Sequence, residues 1–285
     1  MTISRLPEPE VARNTAVAAD AKTVLVRTSN QNLDIARGLQ TGHTVIKKFG
    51  RATAVGTSFV PVCRLNTYNT PLAASATTLR IKAGGDANDT AAGSGAREVT
   101  LVGLDESWNE VSEAVATAGA SASSATTTTF TRLYRAYVSS SGTYATSAAG
   151  SHAATITIEN GAGGTDWTEI DGDDFPLSQT EIGAYSVPTG YTAYVYLDDV
   201  VIETNGKTAD VIFFWRDASD DTGVPYSAMR VQNSLYGLTP GIHDLSGRNI
   251  PYGPYTGPCD IGFMAKIDTG TGGVSAEFEI HLFNE

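Results

Sequence analysis

The sequence has little of the side-chain chemistry on which most enzymes depend. Only four histidines and two cysteines occur among its 285 residues. None of them has the spacing of a common zinc site. No G-x-S-x-G motif is present, and the glycine-rich stretches at 84–85 and 161–164 lack the Lys-Ser/Thr of a phosphate-binding loop. We therefore expect a protein that is not an enzyme and carries no cofactor and no metal.

Positive charge is also scarce. Nineteen Lys and Arg stand against 31 Asp and Glu, a net charge of −12. A nucleic-acid-binding protein needs a basic face to neutralise phosphates, so this composition argues against that class. No stretch approaches the roughly 18 apolar residues of a membrane helix, and the N-terminus lacks the pattern of a signal peptide. We expect no nucleic-acid or membrane partner, and synthesis in a cytoplasm, where Cys63 and Cys259 are reduced and buried.

Short strand-like segments dominate the remainder of the chain. They recur at intervals of about 10 to 15 residues, separated by Gly, Ser, Thr and Ala, a pattern typical of sandwiches and barrels. The stretch 275–283 alternates cleanly, which places Ala276, Phe278, Ile280 and Leu282 on one face of a strand. No helical periodicity exceeds about ten residues outside the N-terminal region. The sequence therefore predicts an all-β protein.

The length favours two domains, and we expect two β-sandwich or jelly-roll-like domains preceded by an extended N-terminal arm. The predicted bounds are 1–42 for the arm, 43–168 for the first domain and 169–285 for the second, jelly-roll-like domain. Residues 161–164 are predicted to be a hinge between the domains. Within the arm, 11–21 is a candidate frayed helix, 22–27 a strand and 30–40 a short helical turn. The arm is either ordered by a neighbouring subunit or a disordered tail.

Three groups of residues are candidates for contacts with other proteins. The first is an apolar triplet in the arm, Val24, Leu25 and Val26. The second is a basic cluster, Lys47, Lys48 and Arg51. The third consists of three tyrosines in a Pro- and Gly-rich loop at 236–258, Tyr236, Tyr252 and Tyr255. The triplet is suited to adding a strand to a neighbour's sheet. The basic cluster is either a solvated strand edge or a contact site for the acidic surface of a partner. The tyrosines fit a subunit contact or a sugar-stacking surface, or a loop folded against its own domain.

Acidic clusters at 171–174, 198–199 and 217–221 are candidate cation sites, because Ca²⁺ prefers carboxylate-rich loops. None matches the EF-hand loop pattern. Solvated turns are the simpler interpretation, and a carboxylate pair of the glycosidase type is a third.

Three segments resemble virion proteins of tailed bacteriophages. The run 97–138 combines a strand, Gly-Leu-Asp, a polar turn, Asn-Glu-Val-Ser-Glu-Ala-Val, a Thr-rich spacer and Thr-Phe-x-Arg. The run 43–59 resembles the opening of the same proteins, and Tyr185 to Tyr194 resembles a strand pair of their second domain. The resemblance covers the chain from about residue 43 to its end.

This resemblance implies a non-enzymatic structural protein of the virion, assembled in the host cytoplasm. Because the chain combines an arm with two β modules, we expect a capsid cement or decoration protein that bridges capsid subunits. Its partners would be the major capsid protein or other virion proteins, and further copies of itself in a homotrimer. The alternatives are a tail or head fibre component that binds a host receptor or glycan, and a polysaccharide depolymerase.

Overall fold

A computed structural model describes residues 3–4, 15–18, 24–26, 31–68, 76–146, 150–161, 164–172, 178–221, 223, 225–247 and 250–284. The chain forms two compact units, residues 1–45 and 46–285. Antiparallel strands dominate the described residues, so the prediction of an all-β protein is confirmed. The first unit has a small sheet ordered β1-β2-β3, followed by helix α1: β1 Ile3–Ser4, β2 Thr15–Ala18, β3 Val24–Val26 and α1 Gln31–Ala36.

Strand β2 corrects one prediction from the sequence. Its residues were expected to form part of a frayed helix, yet they pair with β3 in the register Thr15 to Val26 and with β1 on the other side. Main-chain pairing on both sides outweighs the weak helical preference of the small residues. The predicted strand at 22–27 and the helical turn at 30–40 are confirmed as β3 and α1. Residues 37–42 follow α1 and are also described, whereas arm residues other than 3–4, 15–18, 24–26 and 31–42 lie outside the described part of the chain.

The first β-sandwich consists of two antiparallel sheets, ordered β10-β7-β8 and β12-β11-β6-β9. Its strands are β6 Thr77–Ile81, β7 Ala96–Leu104, β8 Glu110–Ala116, β9 Thr129–Phe130, β10 Arg132–Ser141, β11 Ile156–Asn160 and β12 Asp166–Ile170. Alternate residues of each sheet, such as Val99, Leu101 and Ile158, are fully buried between the sheets. The alternation of apolar residues along each strand therefore produces the core.

The Ser- and Thr-rich spacer at 117–128 has a structural role beside β6. The Ser123 and Thr126 hydroxyls accept hydrogen bonds from the main-chain N–H groups of Ile81 and Leu79, at 2.9 Å each. The N–H groups of Ser123 and Thr126 in turn donate to the carbonyls of Ile81 and Leu79. Side-chain oxygens thus take the place of strand carbonyls as acceptors for main-chain N–H groups of β6 that would otherwise lack hydrogen-bond partners.

The second β-sandwich includes strands from two distant parts of the chain. Its sheets are ordered β13-β19-β15-β16, with β5 also paired to β19, and β17-β14-β20-β4, with β18 also paired to β14. The strands are β4 His43–Val55, β5 Val60–Pro61, β13 Ala184–Val187, β14 Tyr191–Ile202, β15 Ala209–Arg216, β16 Arg230–Leu238, β17 Gly241–Asp244, β18 Tyr252–Thr256, β19 Cys259–Ile267 and β20 Gly272–Asn284. Because successive strands after β13 mostly switch sheets, the connectivity is jelly-roll-like.

The larger core lies between these two sheets. The predicted inward face of the last strand is confirmed, because Ala276, Phe278, Ile280 and Leu282 are all buried there. Both cysteines are unpaired and buried in the same core. Since 46–55 and 60–63 also belong to this sandwich, its core is not formed by a continuous segment. The predicted boundary at residues 168 and 169 stays a prediction.

The predicted hinge at 161–164 is not a link between the sandwiches. Strands β11 and β12 pair with each other in the register Ile156 to Ile170, so that residue 161 begins the turn of a hairpin. The Gly161 N–H donates to the carbonyl of Thr78 at 2.6 Å. A glycine is needed here because a Cβ would lie 2.2 Å from the Thr78 hydroxyl. Two 3-10 turns, Arg64–Asn66 and Thr143–Thr146, complete the described elements.

A buried ion pair joins the two sandwiches. Arg132 at the start of β10 is fully buried, and its guanidinium donates to both carboxylate oxygens of Asp260 in β19, at 3.1 and 3.0 Å. The Ser186 hydroxyl also donates to Asp260, and Tyr68 lies 2.6 Å from Ser186. The Trp108 ring packs 4.8 Å from the guanidinium carbon. Each charge therefore has several partners in place of water.

Replacement of Arg132 by Met is expected to lower the free energy of unfolding by about 3–5 kcal/mol, because Asp260 would remain buried without its counter-ion. Urea denaturation of the purified protein measures this loss. Lys266→Met is the matched control: it breaks the partly exposed pair of Lys266 with Asp210 and should cost under about 1 kcal/mol. Equal losses in the two variants would contradict this assignment.

Candidate interaction surfaces

The segment 226–250 holds most of the large apolar side chains that are exposed among the described residues. It holds six of the nine large apolar side chains that are exposed among the described residues, which we call the apolar edge: Tyr226, Met229, Val231, Tyr236, Ile242 and Ile250. Ile242 and Ile250 are 73% and 79% exposed. Clustered apolar residues of this kind mark contact surfaces more often than isolated ones do.

Two edge strands carry three of these side chains: Val231 and Tyr236 lie on β16, and Ile242 lies on β17. Among the described strands, β16 pairs only with β15, so one side of its main chain has no strand partner. The chain then turns after Leu238 and continues as β17, which pairs with β14 at the edge of the opposite sheet. Within β16, Arg230 is the only charged residue, and its guanidinium lies 4.8 Å from the Trp215 ring. The edge therefore lacks the lysines and prolines that commonly block strand pairing.

A second surface, the aromatic groove, lies on the outer face of the β14–β20 pair. Its lining residues are Thr192, Tyr194, Tyr196, Pro251, His281 and Phe283, around a volume of about 470 Å³. Strand register brings them together, since Thr192 stands opposite Phe283 and Tyr194 opposite His281. Residues 193, 195 and 197 point the other way, into the core. The period of two along each strand thus separates an apolar inner face from an aromatic outer one.

The rings of the aromatic groove meet edge to face. Tyr194 and Phe283 have centroids 5.5 Å apart, and Tyr196 and His281 have centroids 5.1 Å apart. The His281 ring nitrogen lies 2.8 Å from a carboxylate oxygen of Glu279, which fixes the imidazole. Among the described residues, neither the Tyr194 nor the Tyr196 hydroxyl makes a hydrogen bond. The groove therefore offers fixed ring faces beside available phenol groups.

The predicted basic cluster does not form one surface. Lys47 donates to Asp198 at 2.6 Å and lies 3.6 Å from Glu277, and the Arg51 guanidinium binds both carboxylate oxygens of Glu203. Both cations are therefore already engaged within the chain. Because successive residues of a strand face opposite ways, Lys48 points away from its neighbour and is buried. Lys48 thus offers no side-chain surface to a partner, which corrects that part of the prediction.

The Lys48 ammonium has an apolar environment with few partners. It donates to the main-chain carbonyl of Tyr134 at 2.6 Å and lies 5.7 Å from the centroid of the Tyr134 ring. Burial lowers the pKa of Lys48 to about 7, which the nearby Arg135 reinforces and Cys63 partly offsets. Burial of a charge without a counter-ion disfavours the charged form, so the folded protein holds this proton less tightly than the unfolded chain does.

The three predicted tyrosines differ in exposure. Tyr236 is 67% exposed on β16, Tyr252 is half-buried and packs on Phe213, and Tyr255 is 2% exposed and contacts Phe213 and Trp215. The segment 236–258 is not a loop, because it contains β17 and β18. Tyr255 is therefore a core residue, which corrects its prediction as a contact. The interface role of Tyr236 and Tyr252 stays a prediction.

The arm triplet is also placed by the structure. Val24, Leu25 and Val26 are the three residues of β3, and they pair with β2 of the same chain. The predicted strand is confirmed, whereas its addition to a neighbouring subunit stays a prediction.

The acidic clusters have different settings: Asp198 and Asp199 lie within strand β14, whereas the cluster at 217–221 forms turns. Asp217 accepts a hydrogen bond from the Ala218 N–H, and Asp221 accepts one from the Gly223 N–H. Residues 173 and 174 lie outside the described residues. Within the described ranges, no group of three or more His, Cys, Asp or Glu side chains is arranged to hold a metal ion. In the same ranges, no helix has the length and apolar character to cross a membrane.

Local sequence patterns did not predict the aromatic groove or most of the apolar edge. Tyr194 and Tyr196 are two residues apart in a strand, a local signal for a shared face. Their partners His281 and Phe283 are almost 90 residues away, and only the register of β14 with β20 connects them.

Comparison with known proteins gives no family for this chain. No family model matches it, and no curated protein matches it. Among solved structures, one of the Gt strain of infectious bursal disease virus is similar over 85% of this chain and 72% of that chain, with 10% identity and a TM-score of 0.21. The VP2 subviral particle of infectious bursal disease virus gives the same identity and TM-score, over 85% of this chain and 77% of that chain. A TM-score this low supports no conclusion about the fold or function of this chain.

Raising the pH from 7 to 9 is expected to stabilise the wild-type protein relative to a Lys48→Met variant. Because the pKa of Lys48 is lowered from 10.5 to about 7, the unfolded chain binds this proton above pH 7 while the folded protein releases it. The free energy of unfolding therefore rises by about 1 kcal/mol per pH unit from this group. Urea denaturation at several pH values measures the slope.

Lys47→Met is the control for this slope. A hydrogen bond to Asp198 raises the pKa of Lys47, so that the stability it contributes is present below pH 10.5 and is lost only above it. This variant should keep the wild-type slope between pH 7 and 9. A Lys48→Met variant with the same slope as the wild type would show that Lys48 is charged throughout this range.

Proposed function

We propose that this chain is a non-enzymatic structural protein of a virus particle. The observation that carries the proposal is the apolar edge, an unblocked edge strand combined with six exposed apolar side chains. Such an edge is a hazard in a protein that stays monomeric, because it pairs with other edges. It is useful in a protein that is built into an assembly, where a neighbour covers it.

Within this class we propose a capsid cement or decoration protein that bridges capsid subunits. The resemblance of 97–138 and 43–59 to tailed-bacteriophage virion proteins supports this role. The two joined sandwiches also support it, because two domains that are linked by a buried ion pair can bridge neighbouring subunits. The partners proposed are the major capsid protein and two further copies of the chain. In a cyclic trimer, the edge of each copy contacts the next copy, so that no edge remains exposed.

A second candidate function is that of a tail or head fibre component that binds a host receptor or glycan. The observation that favours it is the aromatic groove on the outer sheet face. The copy number in the particle separates the two roles: hundreds of copies fit a capsid protein, and a few dozen at most fit a fibre.

Introduction of a charge into the apolar edge is expected to prevent self-association. We expect light scattering at micromolar concentration to report a trimer for the wild type and a monomer for Val231→Asp or Ile242→Asp, because a buried carboxylate would lack a partner. Ala125→Asp, at an exposed position of the first sandwich, is the control and should remain a trimer. A wild-type protein that is monomeric in solution and on the particle would contradict the proposal.

Deletion of residues 1–42 should leave both sandwiches folded but weaken attachment to the particle. The deletion removes the β1-β2-β3 sheet, whereas residues 46–285 form a compact unit with their own cores. Thermal unfolding tests the first expectation, and co-sedimentation with particles that lack this protein tests the second. Attachment equal to that of the full-length chain would show that the first unit has no part in assembly.

A further inference from the structure

We infer that the aromatic groove is a binding site for neutral glycans. The inference deepens the second function proposed above, and it is independent of the capsid role, because the groove and the apolar edge consist of different residues. Tyr194 and Tyr196 of β14 provide ring faces, Phe283 of β20 provides a third ring, and Pro251 closes one side. The volume of about 470 Å³ lies within the usual range for small-molecule sites.

The chemistry of the ring faces suits a sugar. The face of a pyranose that carries axial C–H groups is apolar and slightly positive, and the face of an aromatic ring is slightly negative, so the two stack. Tyr194 and Tyr196 are each held by edge-to-face contacts with Phe283 and His281. Because these rings are already fixed on a sheet, little conformational entropy is lost when a sugar stacks on them.

Polar groups beside the rings suit the hydroxyls of a sugar. The Tyr194 and Tyr196 hydroxyls can each donate and accept a hydrogen bond. The Glu279 carboxylate stands directly opposite Tyr196 and accepts hydrogen bonds only, so it fits a sugar O–H donor. A few directional polar groups beside an apolar platform are the usual composition of a ligand site.

The charge around the groove indicates which glycans fit. Glu279 lies at the groove, and Glu277 and Asp198 lie farther along the same strands. Lys47, the nearby cation, already pairs with Asp198 and Glu277, and the whole chain carries a net charge of −12. Like charges repel, so sialylated and sulfated glycans are disfavoured. The occupant that fits is therefore a neutral oligosaccharide.

The first test uses the wild-type protein and an array of oligosaccharides. The array holds neutral oligosaccharides of glucose, galactose, mannose and N-acetylglucosamine beside sialylated and sulfated ones. We expect binding to one or more neutral oligosaccharides and weaker or no binding to the anionic ones. Preference for an anionic glycan, or no binding to any neutral one, would overturn the inference.

The second test locates the site with the neutral oligosaccharide that binds best. Tyr194→Ala and Tyr196→Ala should each raise its dissociation constant at least tenfold in calorimetry, because each removes a stacking ring. Tyr236→Ala, at an exposed tyrosine of the apolar edge, is the matched control and should change the constant less than twofold. Unchanged binding by the folded groove variants would place the sugar elsewhere and refute the site.

A measurement on the wild-type protein covers the case in which the variants fail to fold. Addition of the same oligosaccharide should shift the amide NMR signals of β14 and β20, and the stacked C–H protons of the sugar should move upfield. Shifts confined to the apolar edge would refute the site. A groove variant that alters the oligomeric state, in a wild-type protein that binds no neutral glycan, would identify a protein contact instead.

Discussion

The ion pair between Arg132 and Asp260 is the constraint on which the arrangement of the two sandwiches depends. Removal of both charges from water costs several kcal/mol per ion, and only a complete set of partners offsets that cost. The Asp260 carboxylate finds these partners in Arg132 and Ser186. Few arrangements of the two sandwiches satisfy all of these groups together. The pair therefore specifies how the two sandwiches are arranged as well as stabilising them. A second ion pair, between Arg64 and Glu169, also links the two sandwiches.

The second sandwich carries two surfaces with opposite physical character. The apolar edge offers unpaired main-chain groups and aliphatic side chains, which suit another polypeptide. The aromatic groove offers ring faces beside a carboxylate, which suit hydroxyl-rich ligands. One surface lies along β16 and β17, and the other lies across β14 and β20. Because β14 pairs with both β17 and β20, the two surfaces share one strand as a common support.

Local patterns in the sequence predicted most of the strands but not the sites. The inward face of β20 followed from its alternation, because period-two patterning depends only on neighbouring residues. Strand β18 was missed, because Tyr-Gly-Pro-Tyr-Thr has the composition of a loop and Pro is tolerated at a sheet edge. The burial of Lys48 depends on packing against Tyr134, far away in the chain. Likewise, the aromatic groove depends on a register between β14 and β20 that no local pattern encodes.

The pairing of β4 with β20 determines when the second sandwich can finish folding during synthesis of the chain. The first sandwich uses a continuous stretch, from 77 to 170, so its sheets can form while the ribosome is still translating the remainder. In the second sandwich, β4 cannot pair until β20 has been made, and β20 is the last strand of that sandwich in chain order. Until then β4 lacks its strand partner for more than 200 residues of translation. Such non-local closure is slow, so the interval before β20 is made is when β4 of a nascent chain is most exposed to mispairing with neighbouring chains.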